Sequence, residues 1–304
     1  MNQSTELNAD FDAELLRLRD YLEQQTGMSY ERGRLFQLAG RVNRQLKVAG
    51  FAGVREYLSF LQRGTVGARE FKELIDVLSV RETSFFRNQP QFDALRDFIL
   101  PAILSNKEFA RVKAVRLWSA GCSTGQEAYS LAATVHQLLG DNSGWDVKIY
   151  ATDISGIALD RTTEGRYSET EIKTFPKHLR ENYFRREGKH FRIARKLRKL
   201  VVVGEHNLLH QPFFSQVDIT FCRNVMIYFT VPTIRRVVDN FADTSTKNGY
   251  LFLGHSESLF GISDRFRLVD FAGLLVYKKN SEPGNGRVNS LTDVPGFVGF
   301  DDLG

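Results

Sequence analysis

Residues 118–132 read WSAGCSTGQEAYSLA: an apolar strand runs into a glycine turn, then into a helix that opens with a carboxylate. No other stretch limits the fold as strongly. It brings backbone N–H groups and an acid to the carboxyl end of a strand, where open α/β sheets hold nucleotide-like ligands. Gly121 and Gly125 permit a tight turn and close approach of a ligand. Glu127 falls in the first helical turn, where its charge suits the macrodipole. The turn has no GK[ST], which excludes a Walker-type phosphate loop, and no G-x-G-x-x-G, which counts against a dinucleotide. Taken alone, the same residues also fit a plain packing turn.

The surrounding pattern favours the α/β reading. From about residue 114, the strand-like runs AVRLWSA, VKIYATD, LVVVGE, VDITFC, YLFLGH and LLVYKK alternate with helical stretches. That alternation predicts a doubly wound, largely parallel sheet. Only GISDRFRLVDFAG, read as a loop, separates the last two runs, so the final strand is expected to be antiparallel. Before this region the chain reads as helices. Phe11, Leu15, Leu18 and Leu22 recur at helical spacing until Gly27, and further helices are expected near 33–48, 53–62 and 68–80. The predicted organisation is a helical domain over 10–80 and an α/β domain over 81–280 with a β insertion at 165–200. A Ser-, Pro-, Gly- and Asn-containing tail over 281–304 is expected to be disordered.

Composition removes several classes. With 304 residues and 42% hydrophobic content, the chain can support one large core and a smaller one. No apolar run approaches the ~18 residues of a membrane span, so no membrane insertion is expected. The N-terminus lacks the basic and apolar regions of a signal peptide. The two cysteines, Cys122 and Cys222, have no metal-ligand spacing. No metal is expected, and packed thiols near the carboxyl ends of neighbouring strands suit a reducing cytoplasm. His206 and His210 lack an accompanying HExxH and are expected to be structural. Residues 161–200 hold 13 Lys/Arg against 5 Asp/Glu, a local +8 (13 − 5) that exceeds the +5 of the whole chain. Such a surface is either solvated or a dock for an acidic partner, protein or nucleic acid.

Asp153 ends the second strand, about 28 residues after Gly125. A carboxylate there can accept from both ribose hydroxyls, or cap the following helix, and the two roles are compatible. An acid without a pyrophosphate loop points to adenosine carrying an uncharged or cationic group, such as S-adenosylmethionine.

Six segments, RETSFFRN (81–88), WSAGCSTGQEAYSLA, YATDIS (150–155), HNLL (206–209), FCRNVMIYF (221–229) and LGHSESL (253–259), follow in consistent order. Together they resemble the chemotaxis receptor methyltransferases of the CheR type across roughly residues 11–280. The resemblance implies a small N-terminal helical domain and a class I S-adenosylmethionine-dependent methyltransferase domain (Rossmann-like, with a doubly wound sheet) carrying a short β insertion. It implies methyl transfer to glutamate side chains on the cytoplasmic helices of chemoreceptors, with S-adenosylhomocysteine as product. Thr83 and Arg87 would serve the cofactor's methionine end and the active site. Gly121, Glu127 and Asp153 would contact the cofactor, and Asn207–Leu208 and Asn224–Val225 would flank adenine and ribose. Tyr228 would point toward the reacting centre. Where relatives often have Asn, this chain has Arg81, which is expected to pair with Glu82 or with the cofactor carboxylate.

Chemistry supports these assignments. A glutamate with a pKa of about 4.3 is already a nucleophile at neutral pH, so alignment and desolvation, not a general base, are what the site must supply. Arg87 and Tyr228 are the catalytic candidates, as clamp and second donor for a desolvated carboxylate. Phe85 and Phe86 are expected to pack between the domains. Arg34, Arg41, Arg44 and Lys47 share about one helix face. That face is either solvated or, as the resemblance implies, the substrate-binding surface for an acidic receptor helix. Relatives that bind a receptor's C-terminal tethering peptide share a glycine-containing loop in the β insertion. The equivalent YFRREGKHFRI is short and basic with one glycine, Gly188, so tether-independent action is expected. The enzyme is expected to be a cytoplasmic monomer recruited to receptor arrays, with no nucleic-acid partner. Two rivals stand beside this reading. A nucleic-acid methyltransferase would suit the basic balance but not the absence of an Asn-Pro-Pro-aromatic motif. A non-catalytic cofactor-binding scaffold is disfavoured by Arg87 and Tyr228.

Overall fold

The computed structural model describes residues 3–280 except Glu31, Ala110, Asn142 and Ala272. The expected tail at 281–304 and the side chain of Phe11 lie outside the described residues. The first four helices are α1 (Gln3–Thr26), α2 (Arg32–Ala49), α3 (Val54–Leu61) and α4 (Gly64–Leu78). Their apolar residues recur at three- and four-residue steps, so Leu15, Leu18, Leu22, Leu38, Val42, Leu46 and Leu74 close one core around Tyr57. The Tyr57 hydroxyl donates to Glu70 Oε1 at 2.7 Å, and Gln45 donates to the same oxygen at 2.9 Å, which satisfies the polar atoms this core buries.

A bent helical run follows: α5 (Gln89–Ala94) passes through a π-turn at Leu95–Ile99 into α6 (Leu100–Phe109). The sheet then begins with β1 (Ala114–Ala120), α7 (Gln126–Leu139), β2 (Asp146–Asp153) and α8 (Gly156–Glu164). Residues 166–198 hold β3 (Arg166–Ser168), α9 (Glu169–Ile172), α10 (Lys177–Tyr183), β4 (Phe184–Glu187), β5 (His190–Ile193) and α11 (Arg195–Arg198). These three strands form a separate antiparallel sheet ordered β3-β5-β4. The main sheet is completed by β6 (Val201–Glu205), β7 (Val217–Cys222), α12 (Val231–Thr244), β8 (Ser245–Leu253), β9 (Phe266–Phe271) and β10 (Leu274–Lys279).

The seven-stranded order is β6-β2-β1-β7-β8-β10-β9. All the pairings from β6 to β8 are parallel, and β10 runs antiparallel to both its neighbours, as the sequence led us to expect. The segment read as a loop contains β9, which corrects that expectation. Its residues alternate only weakly because it is an edge strand, with Arg267 and Asp270 on its exposed positions. Strand order reverses between β1 and β7, and the crevice above their carboxyl ends is where such sheets bind ligands.

Phe85 and Phe86 are buried, but not between the two domains as expected. Phe85 packs edge-on against Tyr167, Phe175 and Phe184 at 4.9, 5.4 and 5.6 Å, joining the small sheet to the main core. The domain interface is built otherwise. Met28 forms an antiparallel bridge with Phe229, and Ser29 N donates to the Tyr228 carbonyl at 2.7 Å. Lys72 meets Glu205 at 2.7 Å, and Asp76 accepts from Ser155 Oγ and Ile157 N at the start of α8. The helical domain therefore sits over the carboxyl ends of the strands. Cys122, just after β1, and Cys222, the last residue of the neighbouring β7, are free and buried, and burial pushes both thiols well up, away from reactivity.

Candidate active site

The turn after β1 is held from below. Gly121 N and Cys122 N both donate to the Thr152 carbonyl, at 2.8 and 2.9 Å, and Ser123 N donates to Asp153 Oδ2 at 2.8 Å. Gly121 has φ +74°, and a Cβ there would stand 2.5 Å from Val225 Cγ2. Gly125 has φ +91°, and its Cβ would meet Thr162 Cγ2 at 2.8 Å, so α7 can start only from glycine.

Asp153 accepts from Ser155 N at 2.9 Å as well as from Ser123 N. The helix cap expected of it falls instead to Ser155, whose side chain accepts from Ala158 N. Burial raises the Asp153 pKa, although the Ser155 and Ser123 N–H groups favour the anion. Its contribution to the stability of the empty protein is therefore complete below the unfolded value of ~3.9 and is lost as pH rises through the raised folded value. If Asp153 takes a ribose, as the sequence resemblance implies, binding has the opposite sign, because the hydroxyls need the anion. Affinity for the expected S-adenosylmethionine should then fall on acidification from above the ordinary carboxylate range. Calorimetry across pH checks this, and Asp153→Asn should bind weakly without that pH dependence.

Glu127 is 8% exposed and engaged at both oxygens: Ser119 Oγ donates to Oε1 and Arg223 Nε to Oε2, each at 2.7 Å. Arg223 also donates to Gln91 Oε1 at 2.9 Å and to the Arg87 carbonyl, while its guanidinium lies 5.2 Å from the Phe92 ring centre and 5.4 Å from that of Phe221. One buried cation thus ties α7, α5 and the Thr83–Arg87 segment together. Arg223 was not singled out from the sequence. The available signal was a charged residue directly following the fully buried β7, which must find a partner.

Glu257 is the second residue that sequence reasoning missed. Its carboxylate accepts from four backbone N–H groups: Asn224 and Gly254 on Oε2 at 2.8 and 2.7 Å, Val225 and Met226 on Oε1 at 3.0 and 2.8 Å. These bonds hold Asn224 at φ +59°. Glu257→Gln would turn an amide NH2 toward two of those donors. Bonds to a charged group contribute about 1.5–3 kcal/mol, so cofactor affinity should fall at least ~10-fold. An unchanged dissociation constant in calorimetry would remove Glu257 from this role.

These elements enclose a cavity of about 960 Å³, counted out to open solvent. Thr83, Arg87, Gly121, Glu127, Asp153, Asn207, Leu208, Asn224, Val225 and Tyr228 all line it, as do Arg223, Ser123 and His206. His206, expected to be purely structural, carries a buried Nε2 with no hydrogen-bond partner among the described residues, as does Ser123 at its Oγ, and burial lowers the His206 pKa. The Asn207 amide bonds Gln25 O at 2.7 Å and its Oδ1 accepts from Leu209 N, which fastens that turn to α1. Arg81 is exposed and outside the lining, and no ion pair joins it to Glu82 among the described residues. Arg87 donates to the Glu82 carbonyl at 3.3 Å and has no carboxylate partner among the described residues.

The four basic residues of α2 separate. Arg34 lies 5.0 Å from the Tyr228 ring centre and donates to Ile227 O at 3.3 Å. Arg41 is half-buried and donates to the Leu78 carbonyl, closing the end of α4. Arg44 and Lys47 are exposed. Tyr30 stands beside this cluster, and burial pushes its phenol up to about 12 against the opposing charges of Arg41 and Arg34.

Residues 81–273 match CheR methyltransferase, SAM binding domain, and residues 13–79 match CheR methyltransferase, all-alpha domain. The chain belongs to the CheR methyltransferase family. It is 35% identical to the "Chemotaxis protein methyltransferase" of Borreliella burgdorferi, over 88% of this chain and 94% of that one. It is 34% identical to the "Probable chemotaxis protein methyltransferase" of Rhizobium etli, over 81% and 92%, and 31% identical to "Chemotaxis protein methyltransferase 1" of Pseudomonas aeruginosa, over 89% and 98%. Membership makes this CheR-family protein an S-adenosylmethionine-dependent chemotaxis methyltransferase of class I fold.

The cavity fits that cofactor. Asp153 at the tip of β2 would face the ribose and Glu127 a cationic group, and the lining includes Ser123 Oγ and His206 Nε2, which have no partner among the described residues. In this CheR-family site the Glu127 charge is already balanced by Arg223, so a bound ammonium would share the carboxylate rather than neutralise it.

Proposed function

We propose that the protein methylates glutamate side chains on the cytoplasmic helices of chemoreceptors, forming γ-methyl esters. The observation that carries this reading is Arg87, a cation that has no carboxylate partner among the described residues and lines the same cavity as Tyr228. When bound, S-adenosylmethionine supplies the methyl group as an electrophile. Arg87 orients an incoming carboxylate by charge-assisted hydrogen bonds, and the Tyr228 hydroxyl gives a second donor. The glutamate arrives ionised, so these residues need only align it and replace its water. Arg34, beside Tyr228, offers charge to an acidic helix, and the exposed Arg44 and Lys47 continue the basic character farther along α2. Each ester removes one negative charge from a receptor helix and so weakens repulsion between packed helices.

In this reading the enzyme is a cytoplasmic monomer recruited to receptor arrays, and it neither binds nucleic acid nor inserts into the membrane. The hairpin between β4 and β5 is a two-residue turn at Gly188–Lys189, which supports action without a receptor tether. Micromolar affinity for a tethering-type peptide in calorimetry would sink that part. For the activity itself, purified protein is incubated with methyl-labelled S-adenosylmethionine and receptor-bearing membranes. Label released from receptor as methanol by mild base supports the ester. Base-stable label in added nucleic acid would replace the reading with a nucleic-acid methyltransferase.

A further inference from the structure

The helix α4 meets the methyltransferase domain at the ends of two adjacent strands. Lys72 and Asp76 lie four residues apart, on one face of α4. Lys72 pairs with Glu205 at the tip of β6, and Asp76 reaches Ser155 and Ile157 just beyond the tip of β2. The two contacts are unequal. Lys72 and Glu205 are exposed, and an exposed ion pair contributes little. Asp76 and Ser155 are buried, where a carboxylate that loses its donors is costly. Asp76 Oδ1 accepts from Ser155 Oγ and, at 3.2 Å, from Ile157 N in the first turn of α8. Ser155 works in the other direction as well. Its Oγ accepts from Ala158 N at 3.2 Å, and its own N–H donates to Asp153 Oδ1 at 2.9 Å. A carboxylate of the helical domain thus stands one residue away from the carboxylate that lines the cavity.

We propose that Asp76 is a positioning residue for the cofactor site: it fixes Ser155, and Ser155 in turn fixes the Asp153 carboxylate. With its proton committed to Asp76 and a lone pair to Ala158 N, the Ser155 hydroxyl has one orientation, and the backbone N–H of the same residue is held with it. The seat of α4 on the start of α8 therefore sets the affinity for S-adenosylmethionine, so the helical domain belongs to the cofactor site. The inference rests on the ribose role of Asp153 and is independent of which acceptor is methylated. Ser123 N still holds Asp153 Oδ2 when Ser155 is released, so the expected loss is a weakening of binding, not its abolition.

The test is calorimetry of S-adenosylmethionine binding to the full-length protein. Asp76→Ala should raise the dissociation constant about 10-fold, and Asp76→Asn, which keeps the accepting oxygen, should recover most of that. Lys72→Ala should leave it unmoved. Because Asp76 acts through Asp153, the Asp76→Ala effect on affinity should vanish in an Asp153→Asn background, while its effect on the melting temperature persists. Asp76→Asn carries a second signature. Burial, and then the nearby charge of Asp76, raise the Asp153 pKa, so removing that charge should move the acid-side loss of cofactor affinity to lower pH. The other titratable groups beside Asp153 stay as they are: the buried Cys122 thiol, His206, and Glu205, its register partner on β6, which is paired with Lys72. An unchanged dissociation constant in Asp76→Ala overturns the proposal. So does an equal loss in the Asp153→Asn background, because Asp76 would then act through domain packing alone. Should Asp76→Ala fail to fold, an Asp76→Asn pH profile that matches the parent's overturns it instead. Parent-like binding by Asp153→Asn overturns the ribose role of Asp153, and the proposal with it.

Discussion

Replacing Arg223 by methionine is expected to unfold the protein at markedly lower temperature and to abolish tight cofactor binding. The substitution keeps length and apolar contact with Phe92 and Phe221 but leaves the Glu127 carboxylate, Gln91 Oε1 and the Arg87 carbonyl without their donor. Breaking a buried ion pair from one side costs about 3–5 kcal/mol. At roughly 2–4 °C per kcal/mol for a domain of this size, the midpoint should fall by ~10 °C. Adding Glu127→Gln should recover part of the stability, since no uncompensated charge then remains, but none of the cofactor affinity. Thermal unfolding and calorimetry on the two single variants and the double variant give the coupling directly. A single variant that melts with the parent would show that the pair is not a structural element.

The second large effect is expected at Arg87. Its guanidinium is half-exposed and bonded to one carbonyl at 3.3 Å, so Arg87→Ala should leave the melting temperature nearly unchanged. Turnover should nevertheless fall by about 10²–10³, the usual consequence of removing one donor aimed at reacting charge. Arg87→Lys should recover only a fraction, because a point charge cannot reproduce the planar fork that grips a carboxylate. Tyr228→Phe should cost less, about 10-fold, as one hydrogen bond among several. Steady-state kinetics with receptor varied at saturating cofactor measures both, and an Arg87→Ala variant of unchanged kcat would remove the clamp from the mechanism.

The β1 strand, the glycine turn and α7 are legible because their causes are local: apolar run, positive-φ glycine, first-turn acid. The antiparallel final strand follows from a connection that holds no helix to carry the chain back across the sheet. β9 escaped because an edge strand with two charged exposed residues does not show the alternation of a buried one. On α2 the spacing of Arg34, Arg41 and Arg44 puts them near one face, yet the packing assigns them different work. Arg34 stacks on Tyr228, Arg41 closes α4, and Arg44 with Lys47 stays in solvent. Helical periodicity states which direction a side chain leaves the helix, not what stands there.

By itself, then, the sequence determined the helical domain, the parallel sheet and, in the cavity lining, Gly121, Glu127 and Asp153, because each rests on composition or spacing within one segment; Thr83, Arg87, Asn207, Leu208, Asn224, Val225 and Tyr228 came from the family resemblance. Only the tertiary structure decided that Arg223 balances Glu127, that Glu257 binds the turn at 224–226, and that the α1–α2 connection lies across Tyr228. Those links join residues 96, about 32 and about 199 positions apart. A hydrogen bond to a backbone N–H, or an ion pair closed by burial, leaves no periodic mark on the chain. It exists only once the low-dielectric interior makes the unpaired alternative too costly.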